Sequence, residues 1–346
     1  MRTMLKIAAV SSIILLLSLA AGSQCKDRGT WTAEPSSENP SLLQFRFTCA
    51  GENGGTDRPL SPSALPGLDP ASIQGSRVSV KFRLEREAGT FQFEGTFNAG
   101  VGYGEFTFSA NQQFLADLKL MGFSDADSKA FVLAVLDVTR GYIKELRGLG
   151  FDPDLDKVIA CRIFNVDREQ VDGLKAVGVS NPSLDDLVQY RIFHVTPEYI
   201  KQTRAAFPGL SMEKMVAMRI HQVTPEFAQE MSRAGYTNLS ADQLIAFKIH
   251  GVSPEFVRQM ASLGFKGVDA DHLVSFRIFN VNADQIQDLS KAGYSGLAAD
   301  DLINFRIHHI DSAFIASLNK AGYQHPSPSQ LVEFKIMGIR HRTAGL

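Results

Sequence analysis

Neither sign of charge is in excess in this chain: Lys+Arg number 35 against Asp+Glu 37, for a formal net charge of −2. A binder of nucleic acid would carry a basic surplus on one face, so none is expected. There is no HExxH, GxSxG, P-loop or CxxC spacing anywhere in the 346 residues. Each of those spacings is needed to place a metal, nucleophile or phosphate cradle, so the common catalytic arrangements are excluded. Past Leu19 no apolar run is long enough to cross a bilayer. Hydrophobic residues at 44% and charged residues at 21% exclude wholesale disorder.

What is present begins with a secretory pattern. Arg2 and Lys6 flank an apolar stretch, Ile7 to Leu19, and Ala20-Ala21-Gly22-Ser23 supplies small residues for cleavage. Residues 1–23 therefore read as a signal peptide cut after Ser23, and retention as an anchor is the alternative. Cys25 is preceded by Gln24, where lipidation would want a small residue. A periplasmic or secreted protein with no membrane insertion after cleavage is expected. In that oxidising setting Cys25 and Cys49 flank one short segment and are expected to pair. Such a loop contributes on the order of 3 kcal/mol. Cys161 is left over at a position where other repeats carry Tyr190, Met218, Phe247, Phe276, Phe305 and Phe334, and reads as a buried core residue.

Residues 24–109 alternate apolar and polar side chains. The runs Leu43 to Cys49, Arg77 to Leu84, Gly89 to Phe97 and Gly104 to Ser109 are predicted strands, the last three forming an antiparallel meander. From Ala50 to Ser76 runs a Gly/Pro/Ser-rich stretch predicted to be loop. So small a sheet needs a lid, and the first helical repeat is the candidate.

From residue 110 onward one phrase recurs at intervals of 28 or 29. Anchors fall at Ala110, Val138, Val166, Val195, Val223, Val252, Val281, Ile310 and Ile339. A period of this size marks an array whose units cannot bury their apolar faces alone. Two helices fit in each unit. The first takes Thr224 as N-cap, Pro225 at its first position and Gly235 past its end, with Gly122, Gly150, Gly178, Gly264, Gly293 and Gly322 equivalent and Phe207 the exception. The second opens on a capping box, Ser240 with Gln243. Ile163, Ile192, Ile220, Ile249, Ile278, Ile307 and Ile336 recur in seven successive units and are expected to fill one core slot. The fold class is α+β: a small N-terminal antiparallel β domain (24–109), then an all-α solenoid of 28–29-residue two-helix repeats (110–346, about eight units).

The VTPEF/Y phrase, the Gly-aromatic pair and the DLVxFRIHG-like ending, with the strand segment Arg86 to Phe114 before them, carry a resemblance. From about residue 77 to 346 the chain resembles the extracytoplasmic helical-repeat region of bacterial β-lactam-sensor/antirepressor-type membrane metallopeptidases and their stand-alone exported relatives. The peptidase domain itself is absent from this sequence. The resemblance implies a sensing or interaction module and names no ligand.

Two charged ladders follow the period. Arg162, Arg191, Arg219, Lys248, Arg277, Arg306 and Lys335 stand before each anchor; Glu169, Glu198, Glu226, Glu255 and Asp284 stand after. A groove for an acidic ligand is one reading. The favoured one is structural: inter-repeat ion pairs and helix-end contacts, with the basic stems packed in the core. His221, His250 and His308 share a position but lack an acidic or thiolate partner at repeat spacing, so no metal and no cofactor is expected. Function then reads as an exported, non-enzymatic module of the cell envelope that binds another protein or peptide. The alternatives are a structural envelope spacer and an enzyme with its site in the N-terminal domain.

Overall fold

The computed structural model describes residues 27–51 and 55–339. Residues 1–23, expected to be a signal peptide, and Cys25 lie outside the described residues. A six-stranded antiparallel sheet comes first, and helices occupy the rest. The strands are β1 (Arg28–Pro35), β2 (Leu43–Cys49), β3 (Gly55–Leu60), β4 (Val78–Arg86), β5 (Gly89–Asn98) and β6 (Val101–Ala110), in the order β3-β2-β1-β6-β5-β4. The expected meander is β4-β5-β6, with Phe82 opposite Phe93 and Phe93 opposite Phe106.

One face of the sheet is aromatic and fully buried. Trp31 lies at its centre, packed on Phe45, Phe82, Phe93 and Phe97 with ring centroids 5.2 to 6.0 Å away. A ring this large fits against a sheet because Gly95, Gly102 and Gly104 lie beneath it. A Cβ at any of the three would come within 2.8 Å of the indole. The indole N–H donates to the Glu94 carbonyl at 3.3 Å, satisfying the ring's one polar atom.

Two strands were not foreseen. β1 carries only Trp31 and Ala33 inward, too short an apolar alternation to stand out from RGTWTAEP. β3 lies inside the stretch predicted to be loop and has almost no apolar period. Pairing with β2 holds it, and Arg46 clasps Asp57 bidentately at 2.7 Å. It is an edge strand, which is where Pro59 can sit without breaking a ladder. The rest of that stretch is also structured: a 3-10 turn (Pro62–Ala64) and α1 (Ala71–Gln74) follow. Leu65, Leu68 and Ile73 are buried, and backbone bonds pin the stretch to β4 and to the β5–β6 turn. The lid is therefore shared between this segment and the first repeat, whose Phe131 packs on Phe91, Phe106 and Phe108 at 5.5 to 5.8 Å.

Eight helix pairs follow among the described residues. The chain divides into two compact units between Ile192 and Phe193. After the sheet, the first unit holds α2 (Gln112–Leu120) with α3 (Ala126–Val135), α4 (Arg140–Gly148) with α5 (Leu155–Ile163), and α6 (Arg168–Ala176) with α7 (Leu184–Ile192). The second unit holds α8 (Pro197–Ala206) with α9 (Met212–Ile220), α10 (Pro225–Arg233) with α11 (Ala241–His250), and α12 (Pro254–Ser262) with α13 (Ala270–Ile278). It ends with α14 (Ala283–Lys291) and α15 (Ala299–Ile307), then α16 (Ser312–Lys320) and α17 (Pro328–Ile336).

Both helices of a pair end in the same way. The first closes on a left-handed glycine, except at Phe207 after α8, and the N–H of the next residue reaches back five positions, as from Tyr236 to the Met231 carbonyl at 3.0 Å. The second closes likewise, but its left-handed residue is usually not glycine: Asp137, Asn165, His194, Gln222, Asn280 and His309 have φ between 51 and 55°. The next residue is the anchor, and except at Val195 its N–H makes the backward bond, as from Val223 to Met218 at 2.8 Å. This is the Schellman closure with its hydrophobic contact. The recurring valine thus seals one helix, while the residue after it caps the next. Thr224 accepts from the Phe227 N–H, and Ser240 with Gln243 forms the expected capping box.

The glycine floor under Trp31 is open to test. A methyl at Gly104 would lie 2.0 Å from the Glu94 carbonyl, a clash no rotamer relieves. Gly104→Ala is expected to cost more than about 2 kcal/mol in urea unfolding, with the near-ultraviolet dichroism of Trp31 lost first. An unchanged midpoint would contradict this packing.

Candidate functional site

The basic ladder is wired in two ways, which include the expected helix-end contacts but add aromatic rings and glutamines as partners. In five units the head lies over an aromatic ring three residues into the first helix of the same pair: Arg162 over Tyr142, Arg219 over Tyr199, Lys248 over Phe227, Arg277 over Phe256 and Lys335 over Phe314, at 4.1 to 5.3 Å. Four of these also donate to a carbonyl at the left-handed turn of the preceding second helix. Arg162 reaches Leu136, Arg219 Phe193, Arg277 His250 and Lys335 His309, at 2.8 to 3.3 Å. Where the ring is replaced by glutamine, the arginine turns to it instead. Arg191 bonds Gln170 and Asp167, and Arg306 bonds Gln285 and Asn282. Each glutamine passes its own N–H₂ on to the next helix, at the Leu187 or Leu302 carbonyl.

The basic stems are not buried as expected. Arg219 and Arg277 are exposed and the others half-buried. Nor do the two ladders pair. Glu169, Glu198, Glu226, Glu255 and Asp284 are exposed at the second position of their helices. There Glu226 and Glu255 are held below the usual carboxylate range by their own backbone N–H groups and the capping Thr224 and Ser253 hydroxyls. An acid there suits the positive end of the helix, and the ring already occupies the place beside the base. Glu255 pairs with Arg258 instead.

A third ladder was missed. The cation near the start of one second helix reaches an aspartate one period on: Lys129 to Asp156, Lys157 to Asp185, Lys214 to Asp242, and His272 to Asp300. The spacing was visible in the sequence as Lys or His followed 27 or 28 residues later by Asp. His272 also bonds its own cap, Asp269, at 2.7 Å. Its hydrogen bonds to Asp269 and Asp300 raise its pKa, while the His272 backbone N–H lowers that of Asp269.

The isoleucine ladder needs the largest correction. It is not a core slot. Ile163, Ile192 and Ile220 are half-buried, and in the second unit exposure runs from 45% at Ile307 through Ile249 and Ile278 to 66% at Ile336. The core is made by the residues facing the other way, such as Leu273 and Phe276 in α13. On a helix, positions i, i+3 and i+7 share a face. Glu213/Val216/Ile220, Asp242/Ile245/Ile249, Asp271/Val274/Ile278 and Asp300/Ile303/Ile307 have that spacing, and Ser329/Val332/Ile336 continues it. The second helices pack directly on one another, so these faces form one band. It is acidic along the N-terminal edge and basic along the C-terminal edge, with a branched apolar middle that is half-buried at Val274, Ile303 and Val332 and buried at Val216 and Ile245. Phe279 and Met337 extend the exposed apolar surface at that edge. An unbranched count of apolar residues cannot tell such a face from a core face, because both repeat at the helical period.

Among the described residues no group of three or more His, Cys, Asp or Glu is placed to share a metal ion. His221, His250 and His308 are half-buried at the ends of α9, α11 and α15. Cys161 is buried, its thiol pushed up to about 12 by desolvation, and it is the free cysteine among the described residues. The pairing of Cys25 with Cys49 involves a residue outside them. Clefts of about 300 and 360 Å³ lie at equivalent places two repeats apart, beside Tyr294 and Tyr236. A polar cleft of about 430 Å³ opens where Gln285 replaces the ring, lined by Asn282, Arg306 and His309. Neither a comparison with protein-family models nor one with curated proteins finds a match.

Two measurements follow. A double-mutant cycle of Arg277→Ala and Phe256→Ala by urea unfolding is expected to give a coupling of about 0.5–1 kcal/mol; zero coupling would remove the cation–π clamp. The His272 contribution has a defined pH window. Because its folded pKa is raised, its stabilisation is full below the unfolded value near 6.5 and is lost as pH rises through the folded pKa. The melting temperature of the wild type should therefore fall relative to His272→Gln between about pH 6 and 8, and parallel profiles would refute it.

Proposed function

We propose that this protein is a non-enzymatic docking module, exported to the cell envelope, whose helical repeats hold a protein or peptide partner on the outer face of the second helices. The observation that carries the reading is the exposed isoleucine at the same position of α11, α13, α15 and α17. Single exposed apolar residues are ordinary, whereas a contiguous band marks an interaction surface. The charges support a macromolecular partner that spans several repeats, because both charged edges recur at the repeat period.

The resemblance to the extracytoplasmic repeats of β-lactam-sensor/antirepressor-type metallopeptidases agrees with such a role. Export rests on the N-terminal pattern of residues 1–23, and the Cys25–Cys49 bridge belongs to the same proposal. No helix among the described residues is long and apolar enough to cross a membrane.

The test is crosslinked capture from envelope extracts, comparing wild type with the double variant Ile278→Asp, Ile307→Asp. Both side chains are about half exposed, so the variant should keep its melting temperature. A defined partner recovered by the wild type and lost by the variant is the expected result. Equal recovery by both would move the docking surface elsewhere. Turnover of peptides or glycans by the purified protein would replace this reading with an enzymatic one.

A further inference from the structure

The apolar band of the second unit has the dimensions and charge of a seat for one kind of partner. Resting on the docking reading above, we propose that it receives an amphipathic α-helix with apolar residues at heptad spacing and an acidic flank along the Arg219–Lys335 edge.

Spacing argues for a helix. The band crosses five helices, from Ile220 in α9 to Ile336 in α17. Axes of packed helices lie about 8–10 Å apart, so the isoleucine row runs for about 35 Å. One heptad of helix rises about 10.5 Å, close to one step of the row. A strand presents a side chain to one face about every 6.6 Å, which falls out of step within two repeats. A helix of about 24 residues covers the row. The branched row above it is buried at Val216 and Ile245 and half-buried at Val274, Ile303 and Val332, so the last three of these helices supply the second line of contacts that an a/d stripe needs.

Charge argues for an acidic flank. None of Arg219, Lys248, Arg277, Arg306 and Lys335 forms an ion pair with a carboxylate among the described residues. Their heads are held in place by rings, carbonyls or amides and still have N–H donors to spend. Lys248 has the Phe227 ring at 4.1 Å and no hydrogen bond among the described residues. Pre-positioned cations with unspent donors are suited to carboxylates, and such groups set orientation and partner choice. Two of the four acids on the opposite edge are already paired. Asp242 is paired with Lys214, and Asp300 with His272. A second copy of this chain, turned to lay its own acids on the basic edge, would have to break those pairs.

The experiment uses fluorescence anisotropy with the purified full chain. The probes are three labelled synthetic peptides: a 28-residue Leu-heptad helix with Glu on its flanks, the same helix with Lys on its flanks, and a strand-forming Leu/Glu alternating peptide. The Glu-flanked helix is expected to bind at least tenfold tighter than either of the others. Its affinity should fall by tenfold or more in Ile278→Asp, Ile307→Asp, with the melting temperature retained, and should weaken with added salt. Equal or tighter binding of the Lys-flanked helix, preference for the strand peptide, or no binding of the Glu-flanked helix would overturn the proposal. So would sedimentation of the wild type as a dimer that the double variant converts to monomer, which assigns the band to a second copy. Binding to phosphatidylglycerol vesicles that the variant abolishes would assign it to a lipid surface. If partner capture from extracts still depends on Ile278 and Ile307 while the helix fails to bind, the docking reading stands and only the helical partner falls.

Discussion

Nearly every helix of the array is closed by a backbone bond that reaches back five residues, α7 and α8 being the exceptions. Most of the helices have nine residues, below the length at which an isolated helix holds in water. Each therefore has to be closed at both ends and packed at once. The closure does both: a left-handed residue reverses the chain, and the next residue donates backward while its side chain enters the core. Val223, Val252, Val281 and Ile310 seal the second helices, and Tyr236, Tyr294 and Tyr323 seal the first. The tyrosines can take a second task, as Tyr236 and Tyr294 donate their hydroxyls to the Val268 and Pro326 carbonyls 32 residues further along the chain. Consecutive closures fix the period, which is why the interval varies by no more than one residue.

The same closures explain the basic ladder. A left-handed turn leaves carbonyls of the preceding second helix without helical partners. Arg162, Arg219, Arg277 and Lys335 supply donors there, and the ring three residues into the first helix supports the cation from the other side. When glutamine replaces the ring, as at Gln170 and Gln285, arginine bonds the amide and the capping residue, and the amide bonds the next helix. One structural demand is met by two chemistries, both of which keep the base from pairing with the acids of the first helices. From Arg219 to Lys335 the bases are left beside a band of isoleucines without a carboxylate partner among the described residues, whereas Arg162 and Arg191 pair with Asp137 and Asp167, and this couples the internal architecture to the proposed docking function.

The sheet reaches stability by another route. Its apolar face has two covers, the buried leucines and isoleucine of 60–76 and Phe131 of the first repeat. Its centre is one indole on three glycines. Large rings packed face and edge contribute beyond their area, and a polar exposed face carries pairs such as Lys81 with Glu94.

The array, its period, the caps and the first-helix closures were legible in the sequence because each depends on local chemistry: Thr224 before Pro225, Gly235 before Tyr236, Ser240 with Gln243. Strands β2, β4, β5 and β6 were legible for the same reason, since alternation is a local pattern. β1 and β3 were not, because Trp31 needs glycines from other strands and Gly55–Leu60 is a strand only through β2. The left-handed ends of the second helices were hidden in Asp, Asn, His and Gln, residues that adopt that conformation only when the surrounding turn requires it. The ladders were visible as ladders, but their partners were not. Periodicity shows that Arg277, Ile278 and Glu255 recur on fixed faces of a helix. Only the packing of one helix on the next decides which face becomes core, because burial depends on the neighbour rather than on the residue. The sequence by itself determined a repeated pair of short capped helices after a β segment; the tertiary structure decided that the isoleucines face outward and the bases rest on rings.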